Sequence, residues 1–137
     1  MASTNRAITV ALSSERLAGT FAGNLGIELT EITDEHVRGR MLVDKRHLHP
    51  AGYVHGGAWV AFADTVAAWG TLRHLPDGRG FTTVELKINV LASAGEGDEL
   101  TAVGETSAPA TRACASPRGA VPRRPSAHRP RPRRQAR

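Results

Sequence analysis

The longest apolar stretch of the chain covers residues 56–72, with the sequence GGAWVAFADTVAAWGTL, and it has no polar face. A stretch of this length predicts a helix, and a helix that is apolar all round must be enclosed by protein or by lipid. It is shorter than the roughly 20 apolar residues that cross a bilayer, and it contains Asp64. The pattern therefore predicts a central helix enclosed by the rest of the protein, and no membrane span.

Alternating hydrophobic positions predict strands on both sides of this helix. The clearest alternation before it places Val37, Gly39, Met41 and Val43 on one face. The predicted elements are a helix over 13–22 capped by Ser13 or Ser14, strands over 27–33 and 36–44 joined by a turn at 34–35, a loop over 45–54, the central helix over 56–72, a strand over 81–91 (FTTVELKINVL), a turn over 95–98 and a strand over 99–106.

The hydrophobic pattern stops after residue 105. Residues 106–137 contain six of the eight prolines, and Val121 is their only large aliphatic residue. Such a segment cannot bury enough apolar surface to offset its chain entropy, so we expect one domain over 1–105 and a disordered tail over 106–137. Without further strands, the sheet would keep unpaired edges. We interpret the abrupt change as a shift of reading frame, which sequencing around the codon for Glu105 would refute if no neighbouring frame encoded a valine-rich strand pair.

The net positive charge of the chain comes from this tail. Residues 1–105 carry nine cations against all thirteen acids, a net charge of −4, whereas the tail carries nine arginines and no acid. The tail could contact nucleic-acid phosphates, but it lacks aromatic residues for base stacking and has no ordered motif, so the sequence does not favour that function.

The remaining composition bears on compartment and metals. The single cysteine, Cys114, cannot form an internal disulfide, and the N-terminus has no signal-peptide pattern, so we expect a cytoplasmic protein. His47-x-His49 is a weak metal motif without neighbouring cysteines or clustered acids. We therefore predict neither a metal site nor a cofactor.

Asp64 is the only ionisable residue in the apolar helix. Burying a carboxylate without a partner costs several kcal/mol, so the helix has little structural reason to keep one. Asp64 is accordingly the first candidate for a catalytic carboxylate. The alternative is a structural role, in which it binds a helix end or pairs with an arginine across an interface.

The segment His55-Gly56-Gly57, called the HGG segment below, lies at the start of the same helix. Glycines allow close approach of a ligand to the backbone, and the first N–H groups of a helix are free to bind an oxyanion. The alternatives are that the glycines only form a turn and that His55 only makes hydrogen bonds within the loop.

Taken together, these residues resemble a known family. The pattern His49-Pro50-x-Gly52-x-Val54-His55-Gly56-Gly57-Ala58, followed by Ala63-Asp64-Thr65 and by TVELKINVLASAGEGDELTAVGE, resembles the PaaI-like branch of the hotdog-fold acyl-CoA thioesterases. The resemblance implies an α+β hotdog fold, in which an antiparallel sheet wraps around one long helix. In this chain the basic tail would replace the final strands of that sheet. The resemblance also implies a homodimer or homotetramer with its sites at the subunit interface.

The resemblance further implies the role of each site residue. Asp64 would act as nucleophile or general base on the thioester, and the N–H of Gly56 and the side chain of His55 would polarise its carbonyl. Thr83, supplied by the other subunit, would assist the acid, and His49 stands where relatives often carry Asn or Gln. The implied substrate contacts are Gly57, Val54, Thr65 and Val84.

Two alternatives to an acyl-CoA thioesterase remain. One is a truncated hotdog module that binds acyl-CoA without hydrolysing it, or that is inactive. The other is hydration of enoyl-CoA, which the HGG arrangement does not match. Trp59, Phe62 and Trp69 could line an aryl pocket, although large residues on an enclosed helix usually form the core.

Overall fold

The computed structural model describes residues 8–107 and 110–117, which form a sheet and a long helix packed together. Its elements are helix α1 (Val10–Leu17), helix α2 (Phe21–Asn24), strand β1 (Glu28–Ile32), strand β2 (His36–Leu42), a 3₁₀ turn (Lys45–His47), helix α3 (Gly56–His74), strand β3 (Glu99–Ser107) and strand β4 (Ala110–Pro117). The four strands form one antiparallel sheet in the order β1-β2-β3-β4.

The predicted N-terminal helix over 13–22 is wrong in its bounds. Thr9 caps α1 by accepting a hydrogen bond from the N–H of Leu12, and α1 ends at Leu17. Gly19 then adopts a left-handed conformation with φ of 72°, which an α-helix does not accommodate. Thr20 caps a separate short helix. The chain therefore makes two short helices where the apolar spacing alone predicted one.

The predicted hairpin and central helix are confirmed. Strands β1 and β2 pair antiparallel around a turn in which Thr33 and His36 are hydrogen-bonded, and α3 begins at Gly56 as predicted. The buried face of β2 carries the alternating residues, and these pack with the apolar side of α3. The shared core includes Val37, Met41, Trp59, Phe62, Val66, Trp69 and Leu100.

The prediction of a strand over residues 81–91 is wrong. Among the described residues this segment forms no ladder with the sheet, whose strand order is β1-β2-β3-β4. Alternation predicts an extended backbone, but it does not specify that this backbone pairs with another strand. The segment instead lies beside α3, and some of its apolar side chains are almost fully exposed: Val84 is 93% exposed and Leu91 92%. An extended apolar surface of this kind requires a cover.

The sheet continues past the predicted domain boundary at residue 105. Strand β3 runs to Ser107, and Ala110–Pro117 pairs with it as β4, although disorder was expected there. Ladder hydrogen bonds are made by the backbone, so a strand of small residues can form where no large apolar side chain predicts it. The predicted disorder of residues 118–137 falls outside the described residues.

Close packing of α3 on the sheet depends on Gly39 of β2. A Cβ atom at this position would lie 3.0 Å from the carbonyl oxygen of Glu28, 3.1 Å from Val66 Cγ2 and 3.2 Å from Phe62 Cε2. We expect Gly39→Ala to lower the free energy of unfolding by about 1–3 kcal/mol, because an overpacked core must shift. Urea denaturation measures this. Gly80→Ala is the control, since a Cβ there meets nothing within 4 Å, and equal stability of the two variants would contradict the prediction.

Candidate active site

His55 is the N-cap residue of α3, and its backbone is extended, with φ of −63° and ψ of 140°. Its N–H donates to the carbonyl oxygen of His47 at 2.7 Å, which fixes the helix start against the preceding loop. Its ring Nδ1 accepts a hydrogen bond from the N–H of Gly57 at 2.9 Å. Because Nδ1 is an acceptor, a neutral ring carries its proton on Nε2, which leaves an N–H donor on the exposed His55 side chain.

The two glycines of the HGG segment have different roles. The N–H of Gly57 is engaged by the His55 ring, and a Cβ on Gly57 would lie 3.1 Å from His55 Nδ1, so glycine lets the ring come close. In the described part of the chain, the N–H of Gly56 has no acceptor, and a Cβ on Gly56 would meet nothing. Gly56 therefore supplies the free backbone donor, whereas the predicted substrate contact at Gly57 is not made by its N–H.

The loop before α3 is held rigidly by His47. This ring is 1% exposed; its Nδ1 accepts from the N–H of Asp44 at 2.9 Å and its Nε2 donates to the carbonyl oxygen of Leu25 at 2.7 Å. A side-chain hydrogen bond from Arg46 lowers the pKa of Asp44 to about 2, so the Asp44 cap of the 3₁₀ turn stays ionised at neutral pH. The HGG segment thus starts from a fixed position.

A groove of about 270 Å³ opens beside the HGG segment. It is lined by Phe21, Leu25, Arg46, His47, Leu48, His55, Gly57 and Ala58. Its walls are apolar apart from the His55 and His47 rings and the Arg46 guanidinium. A group bound there would lie next to the donors at the start of α3.

Asp64 lies in the middle of α3 and is half-buried. The hydroxyl of Thr83 donates a hydrogen bond to its Oδ1 at 3.0 Å. The apolar helix therefore does not bury its carboxylate without a partner. The hydroxyl comes from the same chain, whereas the resemblance implied that the other subunit supplies it.

A second groove, of about 180 Å³, lies beside this pair. It is lined by Asp64, Ala67, Ala68, Thr71, Phe81, Thr83, Glu85 and Leu86. One wall is the small-residue face of α3, and the other is the extended segment after the helix. The carboxylate of Asp64 is thus accessible to a bound molecule.

The two halves of the predicted site are separated along α3. Gly56 and Asp64 are eight residues apart, which corresponds to about 12 Å along a helix axis. A reacting carbonyl group needs its oxyanion donors and its catalytic carboxylate within a few ångströms. One chain therefore does not bring its own Gly56 and its own Asp64 to the same carbonyl.

His49 is engaged within its own loop. Its Nδ1 accepts from the N–H of Ala51 at 3.1 Å, and its ring centroid lies 6.0 Å from that of Tyr53. This geometry gives the imidazole a structural role in the turn that contains Pro50 and Gly52. Among the described residues, its Nε2 makes no hydrogen bond.

The predicted substrate contacts are scattered within the single chain. Val54 is buried in the core, and the hydroxyl of Thr65 donates to the carbonyl of Ala61 one turn earlier. Val84 is exposed to solvent and does not line the groove beside Asp64. The large aromatic side chains of α3 are in the core and do not line an aryl pocket: Trp59, Phe62 and Trp69.

Sequence reasoning assigned only Asp64 and Thr83 to this groove and missed its six other lining residues: Ala67, Ala68, Thr71, Phe81, Glu85 and Leu86. Glu85 alternates with Thr83, so period-two spacing places the two on one side of an extended segment, but it does not show that this side borders Asp64. Over residues 8–107 and 110–117, no helix is long and apolar enough to cross a membrane, and no cluster of three potential metal ligands occurs.

Comparison with known proteins identifies the fold. Residues 51–108 match the family model of the thioesterase superfamily. A thioesterase from Haemophilus influenzae superposes with a TM-score of 0.66 at 26% identity, covering 71% of this chain and 67% of that one. The chain has the hotdog fold. The PaaI protein of E. coli has the same fold, with a TM-score of 0.56 at 23% identity over 70% of this chain and 68% of its own. The predicted resemblance to hotdog-fold thioesterases is confirmed.

The relatives found by sequence match over a shorter range. The chain is 45% identical over 75 residues to ComA2 of Bacillus subtilis, covering 53% of this chain and 59% of that protein. It is 32% identical over 81 residues to the proofreading thioesterase EntH of Cronobacter turicensis, covering 59% of each. The chain thus spans less than two thirds of the length of these two relatives.

Proposed function

We propose that this hotdog protein is a thioester hydrolase that converts acyl-CoA and water into a carboxylic acid and CoA. The observation that carries the proposal is the accessible carboxylate of Asp64, hydrogen-bonded by Thr83 at the head of a groove, on a helix whose first N–H is free. The thioesterase names of similar proteins support the reaction class. The single cysteine, Cys114, has no second cysteine with which to form an internal disulfide, which favours a reducing compartment such as the cytoplasm.

The active unit consists of two copies of the chain. Because Gly56 and Asp64 of one copy are about 12 Å apart, the Asp64 groove of one copy must face the HGG segment of another. The apolar side of residues 81–91, exposed in the single chain, provides surface for this association. A homodimer, or a tetramer made of two such dimers, satisfies this requirement.

The reaction uses the HGG segment of one copy and Asp64 of the other. The thioester carbonyl oxygen accepts hydrogen bonds from the N–H of Gly56 and from Nε2–H of His55 of one copy. Asp64 of the other copy accepts a proton from water, whose oxygen attacks the carbonyl carbon. The oxyanion is stabilised by the same two donors. When the C–S bond breaks, the sulfur takes the proton from Asp64, which gives the acid and the free thiol.

Direct attack by Asp64 on the carbonyl is the other form of this mechanism. The C–S bond would break as the new C–O bond forms, so that CoA leaves as a thiolate, which takes a proton from water, and a mixed anhydride between Asp64 and the acyl group remains. Water then hydrolyses this anhydride and restores the carboxyl group of Asp64. In both forms the carboxylate must be ionised and within reach of the thioester. The hydrogen bond from Thr83 orients Asp64 Oδ1 and leaves Oδ2 for the water or the carbonyl carbon.

Thiol release from a set of acyl-CoAs tests the proposal. The purified 137-residue chain is incubated with short, medium-chain and aromatic acyl-CoAs, and free CoA is followed with a thiol reagent. We expect release above the spontaneous rate for at least one acyl group. Release at the spontaneous rate for every acyl group would contradict the proposal.

A non-catalytic hotdog module is the second candidate. The observation that favours it is the unpaired segment 81–91, whose apolar side chains are uncovered in the single chain. Size-exclusion chromatography separates the two cases. A dimer or tetramer supports the enzyme, whereas aggregate or a stable monomer supports an inactive module.

A further inference from the structure

The Asp64 groove contains a second carboxylate, Glu85, that the proposed reaction does not use. Phe81, Thr83, Glu85 and Leu86 form the wall of the groove opposite α3, and Thr83 contacts Asp64. Glu85 lies on this wall two residues after Thr83, at most about 7 Å further along the chain.

The charge of this groove is one-sided. Its lining includes the two carboxylates of Asp64 and Glu85 and no lysine, arginine or histidine. Glu85 has no ion-pair or hydrogen-bond partner among residues 8–107 and 110–117, unlike Glu28 and Glu31, which are paired with arginines. A bound molecule would thus meet an unpaired negative charge beyond the reacting end of the groove.

We infer that Glu85 selects the acyl group by charge, an inference that rests on the proposed function. An acyl group whose thioester reaches Asp64 extends along the groove over Ala67 and Ala68, between α3 and Phe81. The far end of the acyl group, about the length of one aromatic ring from the thioester, then lies next to the Glu85 carboxylate. A hydroxyl or ammonium group there donates a hydrogen bond to Glu85, whereas a carboxylate is repelled. The substrate class is a short acyl group with an uncharged or positively charged far end.

Matched acyl-CoAs measure this selection. One series is benzoyl-, 4-hydroxybenzoyl- and 4-carboxybenzoyl-CoA, and the other is hexanoyl-, 6-hydroxyhexanoyl- and adipoyl-CoA. Within each series, kcat/KM is expected to be highest for the hydroxyl compound and lowest for the carboxylate. Comparing ratios within a series removes any general effect on Asp64.

For each series we compare kcat/KM of the carboxylate compound with kcat/KM of the unsubstituted compound. Glu85→Gln is expected to raise this ratio by about fivefold, because it removes one repulsion between like charges, and such a repulsion at 4 Å in water corresponds to about that factor. Glu85→Lys should raise the ratio further. High salt should shrink the difference between wild type and variants, because exposed charges are screened; a steric role would not respond to salt. Glu15→Gln, the same change on the exposed face of α1, should leave the ratios unaltered.

The possible results separate the inference from the proposed function. Unchanged ratios in both Glu85 variants, with normal hydrolysis of the unsubstituted compounds, would overturn the inference and leave the thioesterase proposal standing. If the wild-type chain hydrolysed no member of either series, the proposed function would fail and the inference with it.

Discussion

Asp64→Asn is expected to lower thioester turnover by a factor of about 10² or more while the protein stays folded. The amide has the same shape as the carboxylate and can still accept the hydrogen bond from Thr83 through its oxygen. It cannot take a proton from water, and it is a poor nucleophile. The loss should therefore appear in kcat, measured by CoA release, with little change in the unfolding transition.

The control for this variant is Asp77→Asn, the same chemical change at an exposed position just after α3. It should retain full turnover. If Asp64→Asn kept near wild-type kcat, Asp64 would have only the structural role that the sequence left open.

Gly56→Pro is expected to lower kcat by about 10²–10³, because it deletes the one free N–H that we assign to the oxyanion. Proline is well tolerated at the first position of a helix, where the N–H has no helical partner. The residue before proline must be extended, and His55 already is, with ψ of 140°. The substitution should thus remove a donor without disturbing α3.

The matched control is Gly56→Ala, which keeps the N–H and adds a Cβ where nothing lies within 4 Å. It should have nearly wild-type turnover. Equal loss in both variants would indicate that the side-chain space at residue 56 matters and that its N–H does not.

The sequence predicted the central layer of the fold well, because that layer follows from local patterns. The apolar run fixed the position of α3, and the alternation of Val37, Gly39 and Met41 fixed the buried face of β2. Residues 81–91 were mispredicted because alternation reports backbone extension and leaves the availability of a neighbouring strand open. Residues 110–117 were missed because backbone pairing needs no large apolar side chain.

The candidate site was predictable in its parts and not in its arrangement. Asp64 was identifiable as the lone acid of an apolar helix, and the HGG segment from its glycines. The N–H of Gly57 donates to the His55 ring, whereas the N–H of Gly56 stays free. This difference depends on the orientation of the ring, which no sequence pattern encodes. The role inferred for Glu85 depends on its position in the groove beside α3, which the alternation of polar and apolar residues does not specify.

The shared site is tested most directly by mixing the two inactive variants. Asp64→Asn and Gly56→Pro chains with different affinity tags are co-expressed, and dimers that contain one of each are isolated. Such a dimer pairs the intact Gly56 of one chain with the intact Asp64 of the other at one of its two sites. The two-chain arrangement predicts about half of the wild-type CoA release per dimer, as expected for a symmetric pair of sites. Release no higher than that of either variant alone would mean that each chain uses its own Gly56 and Asp64, and would contradict it.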